Sequence, residues 1–300
     1  MNVAIIGAGF AGSYLAHRLH KKNINVTLFE KSRGPGGRMA TRRDNSFQIN
    51  HGCMGFSPSK LGFKVFCEDL VNDGIINKKD NNHYYTNQMN SVLKHLSKDV
   101  HVQNKTHIKS IKYLNAEYIL RDQNNKDYEG FNFIIMTIPP AQILALNSNF
   151  KSTNNAPLSK VTFDSVVTLA LYGSEVKNLD KVRLSSLKNL AKLSIQNEES
   201  LVLHMNAAFS NEYNNLTKKV LEPLLIQEIQ KVLPHFNIQK YGHFTHLWKY
   251  GFTKKPYGEP YIYDEEKNYA ICADWLNGKN VEDAYTSVNT FLNDHTSKFI

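Results

Sequence analysis

The first thirty residues constrain the fold of this 300-residue chain more than any other segment. The apolar run Val3–Ile6 is followed by the loop GAGFAG at positions 7–12, by an amphipathic stretch to about Lys22, and by a second apolar run, Asn25–Glu30. A short apolar run, a helical period and another short apolar run predict a strand, a helix and a strand. Parallel strands joined by a helix belong to sheets that helices cover, so the pattern predicts an α/β fold.

The three glycines of that loop each have a steric task when the loop binds a nucleotide. Gly7 permits the tight turn, Gly9 lets a pyrophosphate approach the backbone, and Gly12 lets the helix pack against the strand. The helix N-terminus adds amide donors and the positive end of a dipole. Glu30, at the end of the second strand, is placed to accept hydrogen bonds from ribose hydroxyls. The pattern predicts dinucleotide binding, although it does not distinguish NAD from FAD.

A second glycine-rich segment, KSRGPGGRMATRR at positions 31–43, favours FAD. The pair Gly36 and Gly37 follows the ribose-binding acid, where the chain could turn back along an extended FAD molecule. Arg38 offers cationic donors to the pyrophosphate, and the small side chain of Ala40 permits close contact with a flavin. The alternative interpretation is a basic surface loop.

The string GPGGRMATRR at positions 34–43 resembles the hallmark of the renalase-like branch of the FAD-dependent amine-oxidase-type flavoproteins. Other blocks resemble the same family and follow in its order: NHGCMGFS at 50–57, the segment 85–96, IMTIPPAQ at 135–142, HLWKY at 246–250, CADW at 272–275 and VEDA at 281–284. Three of these depart from the family pattern. The segment 50–57 lacks the family's Gln and Tyr, the segment 85–96 lacks its Gly and Pro, and Asp283 stands where the family has Gly. Residues 150–240 show no resemblance.

The resemblance implies a Rossmann-type FAD-binding domain with an inserted, sheet-based substrate domain, as in the p-hydroxybenzoate-hydroxylase-like arrangement. We predict a discontinuous FAD-binding domain of residues 1–58, 86–150 and 265–300, and a substrate domain of residues 59–85 and 151–264. The cofactor is predicted to be noncovalent FAD. The predicted cofactor contacts, from the motifs and the resemblance together, are Gly7, Gly9, Phe10, Ala11, Gly12, Glu30, Lys31, Gly36, Gly37, Arg38, Met39, Ala40, Ile108, Asp274, Val281 and Ala284.

His246 and Trp248 are two residues apart on a predicted strand, so their side chains share a face. With Tyr250 they are the predicted substrate-pocket residues, although a structural role for His246 is an equally open interpretation. No catalytic side chain is predicted, because flavin itself performs the redox step.

The resemblance implies an oxidase that takes a hydride from a small reduced nitrogen compound, with O2 reoxidising the flavin and yielding H2O2. Dihydronicotinamides, the isomeric forms of NAD(P)H, are the implied substrates, so an NAD(P)-type nucleotide is a predicted partner. The alternatives are an amine oxidase acting on primary or secondary amines and a flavoprotein without catalytic activity. The oligomeric state stays open.

Composition excludes several other classes. No stretch reaches the about 18 apolar residues that a membrane span needs, and no basic leader precedes the first strand. Cys53, Cys67 and Cys272 are odd in number and widely spaced, which argues against zinc and favours a cytoplasmic, reducing location. The net charge of +9 is spread over scattered lysine doublets, a pattern that does not indicate nucleic-acid binding. His243 and His246 would point to opposite faces of a strand, so we expect no metal site.

Further elements are predicted from periodicity. Val100–Val102, Ile108–Leu114 and Tyr118–Leu120 resemble strands of one antiparallel meander, and the polar stretch Asn147–Asn155 is a candidate linker. Asn280 is a predicted N-cap for a closing helix, Val281–Phe291. Asp283 in its first turn is interpreted as a capping-box acid or, alternatively, as a group that disfavours an anionic reduced flavin.

Overall fold

Eighteen strands and eight α-helices make up the part of the chain that the computed structural model describes, residues 1–80, 82–148 and 158–299. The strands are β1 Asn2–Ile6, β2 Asn25–Phe29, β3 Thr41–Arg43, β4 Gln48–Asn50, β5 Asn77–Lys79, β6 His83–Tyr85, β7 His101–Gln103, β8 Ile108–Leu114, β9 Glu117–Asp122, β10 Asp127–Phe131, β11 Phe133–Met136, β12 Asn147–Ser148, β13 Thr162–Tyr172, β14 Leu190–Asn197, β15 Ser200–Met205, β16 Gly242–Lys255, β17 Ile262–Asp264 and β18 Tyr269–Ile271. The helices are α1 Phe10–His20, α2 Leu61–Asn72, α3 Asn90–Leu96, α4 Pro140–Leu144, α5 Lys181–Ser185, α6 Ala207–Glu212, α7 Lys218–Gln230 and α8 Val281–Asp294. The chain divides into two units, the first Met1–Ala40, Gly55–Thr162 and Thr253–Ile300, and the second Thr41–Met54 and Phe163–Phe252.

A six-stranded sheet in the order β17-β18-β11-β1-β2-β7 is the centre of the first unit. All neighbours pair in parallel except β17, which runs antiparallel to β18. The central strand β1 buries Val3, Ala4 and Ile5 completely, as expected for a parallel strand with both faces covered. The predicted α/β fold with a Rossmann-like domain is confirmed.

The predicted meander is partly wrong. The segment around Val102 does form a strand, β7, but it pairs in parallel with β2 through Thr27 and His101. The antiparallel meander instead comprises β8, β9 and β10, with Asn125 at a φ of 64° in the last turn. A three-residue strand carries too few side chains to indicate its partner, so the sequence alone could not place β7.

The second unit contains a four-stranded sheet in the order β14-β15-β13-β16. One face buries an aliphatic core that includes Val167, Leu169 and Leu203 and residues of α7 such as Leu225. The opposite face contacts the β3–β4 hairpin, where Ile49 packs with Ala170, Val202 and Phe244.

The two units divide the chain differently from the predicted domain boundaries. Residues 59–85, predicted for the substrate domain, lie in the first unit, because α2 packs Phe63 and Phe66 against aromatic side chains of α1 and α8. Residues 41–54, predicted for the FAD-binding domain, lie in the second unit through Ile49. The segment 253–264 joins the first unit because β17 pairs with β18. Most of the predicted linker at 147–155 lies outside the described residues, and its first two residues form β12.

Among the helices described, none combines the length and the apolar character that crossing a bilayer requires.

The aliphatic core of the second unit generates a stability prediction. Val167 is completely buried, and Val182 of the same unit is 80% exposed. Val167→Ala should lower the free energy of unfolding by about 2 kcal/mol, because two buried methyl groups are lost and a cavity remains. Val182→Ala, with the same chemical change, should stay within about 0.5 kcal/mol of the parent. Urea unfolding followed by circular dichroism measures both, and equal losses would contradict the assignment of this core.

Candidate cofactor and substrate sites

The glycine loop between β1 and α1 has the geometry that its sequence predicts. Gly7 has a φ of +106°, and a Cβ there would lie 2.7 Å from Ile138 Cγ2. A Cβ on Gly12 would lie 1.9 Å from the carbonyl oxygen of Gly7, so the first turn of α1 packs directly on the loop. A Cβ on Gly9 would meet no atom within 4 Å. The loop therefore has no room for a side chain at Gly7 or Gly12, whereas the space beside Gly9, the N-cap of α1, is open to a ligand.

Glu30 connects this loop to the chain that follows β2. Its side chain is 7% exposed, and its two oxygens accept hydrogen bonds from the N–H groups of Ala8, at 3.0 Å, and Ser32, at 2.8 Å. A carboxylate offers about four lone-pair directions, so both oxygens keep capacity for further donors such as hydroxyls.

The second glycine segment returns to the first. The N–H of Gly36 donates to the carbonyl of Ala8 at 3.0 Å. Gly37 has a φ of +53°, and a Cβ there would lie 3.3 Å from the Cα of Gly9. The structure therefore brings together Gly9, Gly36 and Gly37, which the sequence predicts as parts of one site.

Arg38 and Asp274 form an ion pair across 236 positions of sequence, with Arg38 Nη2 2.5 Å from Asp274 Oδ1. Asp274 is 5% exposed. Its other oxygen, Oδ2, is buried and has no hydrogen-bond partner among the described residues. A buried carboxylate oxygen without a donor costs free energy, so this atom is suited to accept a hydrogen bond from a bound molecule.

The remaining predicted cofactor residues of the first unit have different surroundings. Ala11, Met39, Ile108 and Ala284 are buried, Ala40 and Val281 are half-buried, and Lys31 is exposed. Phe10 begins α1, but its ring stacks on Tyr14 at 5.7 Å and meets Phe63 edge-on at 6.2 Å. Phe10 therefore belongs to an aromatic core between α1 and α2 through its side chain, and only its backbone is available to the loop.

The N-terminus of α8 has the predicted cap. Asn280 Oδ1 accepts a hydrogen bond from the N–H of Asp283 at 3.1 Å, and Asp283 Oδ2 accepts from the N–H groups of Lys279, at 2.9 Å, and Asn280, at 3.0 Å. The capping-box interpretation of Asp283 is confirmed. Its carboxylate also occupies the space beside Gly278, where a Cβ would lie 2.1 Å from Asp283 Cγ.

The neighbouring acid, Glu282, has a role that the sequence did not reveal. It is buried and accepts hydrogen bonds from the Ser59 N–H, at 3.1 Å, the Ser59 hydroxyl, at 2.5 Å, and the Lys60 N–H, at 2.6 Å. These amides immediately precede α2, so Glu282 acts as the acceptor at that helix N-terminus, where α2 has no cap of its own. The partners are more than 220 residues apart, and no local pattern could have indicated them.

In the second unit, the structure brings His246 and Trp248 together on β16, as their spacing predicts, with ring centroids 4.2 Å apart. Tyr250 is directed to Phe163 instead, at 5.3 Å, and has no ring contact with the other two among the described contacts. His51, from the NHG segment, completes the group: its ring stacks on Trp248 at 5.0 Å and lies 4.9 Å from His246. The three rings are called the ring cluster below.

Four hydrogen bonds from the sheet hold the backbone beside His51. The Asn50 N–H donates to Gln196 Oε1 at 3.0 Å, and Gln196 Nε2 donates to the Asn50 carbonyl at 2.5 Å. The His51 carbonyl accepts from Trp248 Nε1 and from His204 Nε2, each at 3.0 Å, which requires the proton of His204 to be on Nε2. Gln196 and His204 were not predicted as site residues, since the first lies on a strand, β14, that the sequence did not indicate.

The histidines of this sheet face are neutral at physiological pH. Burial, with a smaller contribution from His246, lowers the pKa of His51 to about 3. Burial, followed by the charge of Lys218, lowers the pKa of His246 to about 4. Burial also lowers the pKa of His204. The ring cluster therefore presents uncharged aromatic surfaces.

Two of the three thiols, Cys67 and Cys272, are buried. Within residues 1–80, 82–148 and 158–299, no group of three or more histidine, cysteine or acidic side chains could hold a metal ion. Burial raises the pKa of the Cys67 thiol to about 12 and that of the Cys272 thiol well above its ordinary value, so neither is a reactive thiolate.

A known protein family matches this chain in the segment that contains the glycine loop. Residues 5–69 match the family model described as an NAD(P)-binding Rossmann-like domain. Over 74 residues the chain is 39% identical to the coproporphyrinogen III oxidase of Staphylococcus aureus (strain NCTC 8325 / PS 47), a match that covers 24% of this chain and only 15% of that relative.

Two solved structures are similar over almost the full chain. A structure titled as a protoporphyrinogen oxidase from Exiguobacterium sp. 255-15 superposes with a TM-score of 0.75 at 11% identity, covering 99% of both chains. A conjugated-linoleic-acid-producing (CLA-producing) fatty acid isomerase from P. acnes superposes with a TM-score of 0.72 at 12% identity, covering 98% of both. At these identities the similarity establishes the fold.

The buried neutral His51 generates a prediction about pH. In the unfolded chain the pKa of His51 is that of an ordinary histidine, about 6.5, whereas in the folded chain it is about 3. Between these values the unfolded state holds more protons, so the free energy of unfolding falls as the pH falls, by about 1.4 kcal/mol per pH unit for this group. His51→Gln should remove that part of the slope between pH 6 and pH 4.5, measured by urea unfolding at a series of pH values.

The matched control is His235→Gln, at an exposed position of the same unit. It should leave the pH dependence of the parent unchanged. If His51→Gln and the parent lose stability equally as the pH falls, His51 is not held neutral by the fold.

Proposed function

We propose that the chain is an FAD-dependent oxidoreductase that binds its cofactor noncovalently in the first unit. The observation that carries this proposal is the combination of an open backbone at Gly9 with a buried, unpartnered oxygen on Asp274. These two features meet the two needs of a flavin dinucleotide, a pyrophosphate close to the backbone and an acceptor for a hydroxyl chain. The folding of Gly36 and Gly37 back onto Ala8 and Gly9 supports FAD over NAD.

The residues present suit each part of that cofactor. Glu30 would accept hydrogen bonds from the ribose, while the backbone of Gly9, Phe10 and Ala11, with Arg38, would hold the pyrophosphate. Asp274 would accept from a ribityl hydroxyl. The proposed flavin contacts are the backbone of Met39 and Ala40 and the first turn of α8 at Val281 and Ala284. Lys31 and Ile108 are proposed at the adenine end, because the Lys105 and Thr106 N–H groups donate to the carbonyls of Ser32 and Glu30.

The proposed reaction removes a hydride from a small reduced nitrogen compound. Bound FAD would supply the two-electron acceptor for that hydride, and its reoxidation by O2, with one proton from solvent, would give H2O2. The substrate we favour is a dihydronicotinamide isomer of NAD(P)H, because the ring cluster offers flat, uncharged aromatic surfaces suited to a flat ring. His246 and Trp248 are the proposed pocket residues, and Tyr250 a more distant one.

The names of the similar proteins favour a second candidate, oxidation of a porphyrinogen. It is supported by the coproporphyrinogen III oxidase match and by the fold shared with a protein titled as a protoporphyrinogen oxidase. Oxidation of primary or secondary amines is a third outcome of the same test. We also propose a cytoplasmic location, where a reducing environment suits the buried thiols Cys67 and Cys272.

An anaerobic visible spectrum of the purified protein tests cofactor and substrate together. We expect an oxidised-flavin band that bleaches within seconds when dihydronicotinamide isomers are added and recovers on admission of air, with H2O2 released. Ordinary NADH, coproporphyrinogen III and a panel of amines are parallel additions. Bleaching by coproporphyrinogen III or an amine alone would replace the proposed substrate, and no flavin band after reconstitution with FAD would refute the cofactor assignment.

The role of Asp274 is tested by Asp274→Asn, which keeps the size of the side chain but removes its charge. The Kd for FAD should rise about tenfold, because a charged acceptor binds a hydroxyl more strongly than an amide oxygen does. Asp294→Asn, at an exposed acid of the same unit, is the matched control and should bind FAD as the parent does. Flavin fluorescence titration of the apoprotein gives both constants, and an unchanged Kd in Asp274→Asn would exclude Asp274 as a cofactor ligand.

A further inference from the structure

Arg42, on strand β3, places a cation beside the ring cluster. Its side chain is exposed, and its Cζ lies 4.3 Å from the ring centroid of Phe244. Phe244 in turn meets the ring of His51 edge-on at 5.5 Å. One aromatic ring therefore separates the guanidinium from the ring cluster.

No carboxylate pairs with Arg42 among the described residues. Asp44, two positions along the same hairpin, is the acid whose charge interacts with it. The Asp44 carboxylate is instead engaged by its own turn, where Oδ1 accepts from the Ser46 N–H and hydroxyl at 2.8 and 2.7 Å and from the Phe47 N–H at 3.3 Å. The Arg42 guanidinium is therefore left without an ion-pair partner among the described residues and can bind an anion.

Further cations lie near the ring cluster. Lys218 and Arg42 lower the pKa of His246, and Lys192 lowers the pKa of His204. A surface that combines cations with neutral rings attracts an anion.

We propose that Arg42 binds the phosphate of a nicotinamide nucleotide whose ring packs on Trp248 and His246. The proposal rests on the proposed function and adds to it the group that recognises the charged part of the substrate. A guanidinium matches a phosphate with two parallel N–H donors, and its cation is more weakly hydrated than an ammonium. In such a nucleotide, one ribose lies between the nicotinamide ring and the phosphate. In the structure, the side chain of Phe244 lies between the Arg42 guanidinium and the ring cluster. Each separation is therefore a single ring.

The test measures binding of nicotinamide mononucleotide and nicotinamide riboside to the full-length, FAD-loaded protein by calorimetry. The two probes differ only in the phosphate. The parent should bind the mononucleotide about tenfold more tightly than the riboside, since hydrogen bonds to a charged group are worth at least that factor. Arg42→Gln should abolish this preference by weakening the mononucleotide alone, and Arg42→Lys should retain part of it.

Arg43→Gln is the matched control, since Arg43 is the next residue of β3, carries the same charge and is also exposed. It should keep the preference for the mononucleotide. Equal affinity of the parent for the two probes, or an equal loss in Arg43→Gln and Arg42→Gln, would overturn the phosphate site. An unchanged riboside affinity in Arg42→Gln shows that the variant is folded.

The anaerobic spectrum separates this inference from the proposed function. If dihydronicotinamide isomers bleach the flavin but the phosphate preference survives in Arg42→Gln, only the inference fails. If nothing bleaches the flavin while mononucleotide binding depends on Arg42, only the proposed reaction fails and the anion site stands.

Discussion

The contact between the first turn of α1 and the carbonyl of Gly7 is the constraint on which the nucleotide-binding half of the structure depends. Any side chain at position 12 would collide with that oxygen, so α1 can lie this close to β1 only with glycine there. Thr137, after the neighbouring strand β11, holds the same carbonyl by donating its hydroxyl to it at 2.8 Å. With the loop fixed in this way, the Ala8 N–H meets Glu30 and the Ala8 carbonyl meets Gly36, so both glycine segments take their position from one turn.

In the second unit, side-chain hydrogen bonds hold the backbone of the proposed site. Its β3–β4 hairpin forms a two-stranded sheet, and side chains of the four-stranded sheet bind the hairpin backbone. The Gln196 amide binds both the N–H and the carbonyl of Asn50, which is the pairing that an adjacent strand would provide. Trp248 and His204 both donate to the next carbonyl. The ring of His51 is therefore oriented by bonds to its own backbone, and the ring itself stays available for stacking.

The predictions that succeeded are those whose physical cause is local in sequence. The β1-α1-β2 unit, the glycine turn and the Asn280–Asp283 capping box involve residues within one or two elements, so spacing and residue type were sufficient. The features that the sequence misplaced or did not reveal depend on distant partners. Strand β7, predicted for the meander, pairs with β2 across the length of α2 and α3, and Glu282, for which no role was predicted, binds amides more than 220 residues away. The ring cluster was predicted in part. The spacing of His246 and Trp248 indicated that their side chains share a face of the strand, but nothing in the sequence indicated that His51 contacts both rings.

The same difference applies to the two proposed sites, since the sequence indicated the glycine loop but not the surroundings of Arg42. A dinucleotide is held largely by backbone groups, and backbone geometry leaves a sequence signature because only glycine tolerates it, as at Gly7 with its φ of +106°. In the proposed substrate site, the ring and its anion would be held by side chains such as Trp248 and Arg42, whose residue types are common and whose roles depend on their neighbours. Arg42 and Arg43 are adjacent and of the same residue type, and it is the folded sheet that places Arg42 over the ring of Phe244, beside neutral histidines. The proposed recognition of the phosphate is thus a property of the folded sheet face, which the glycine motif does not encode.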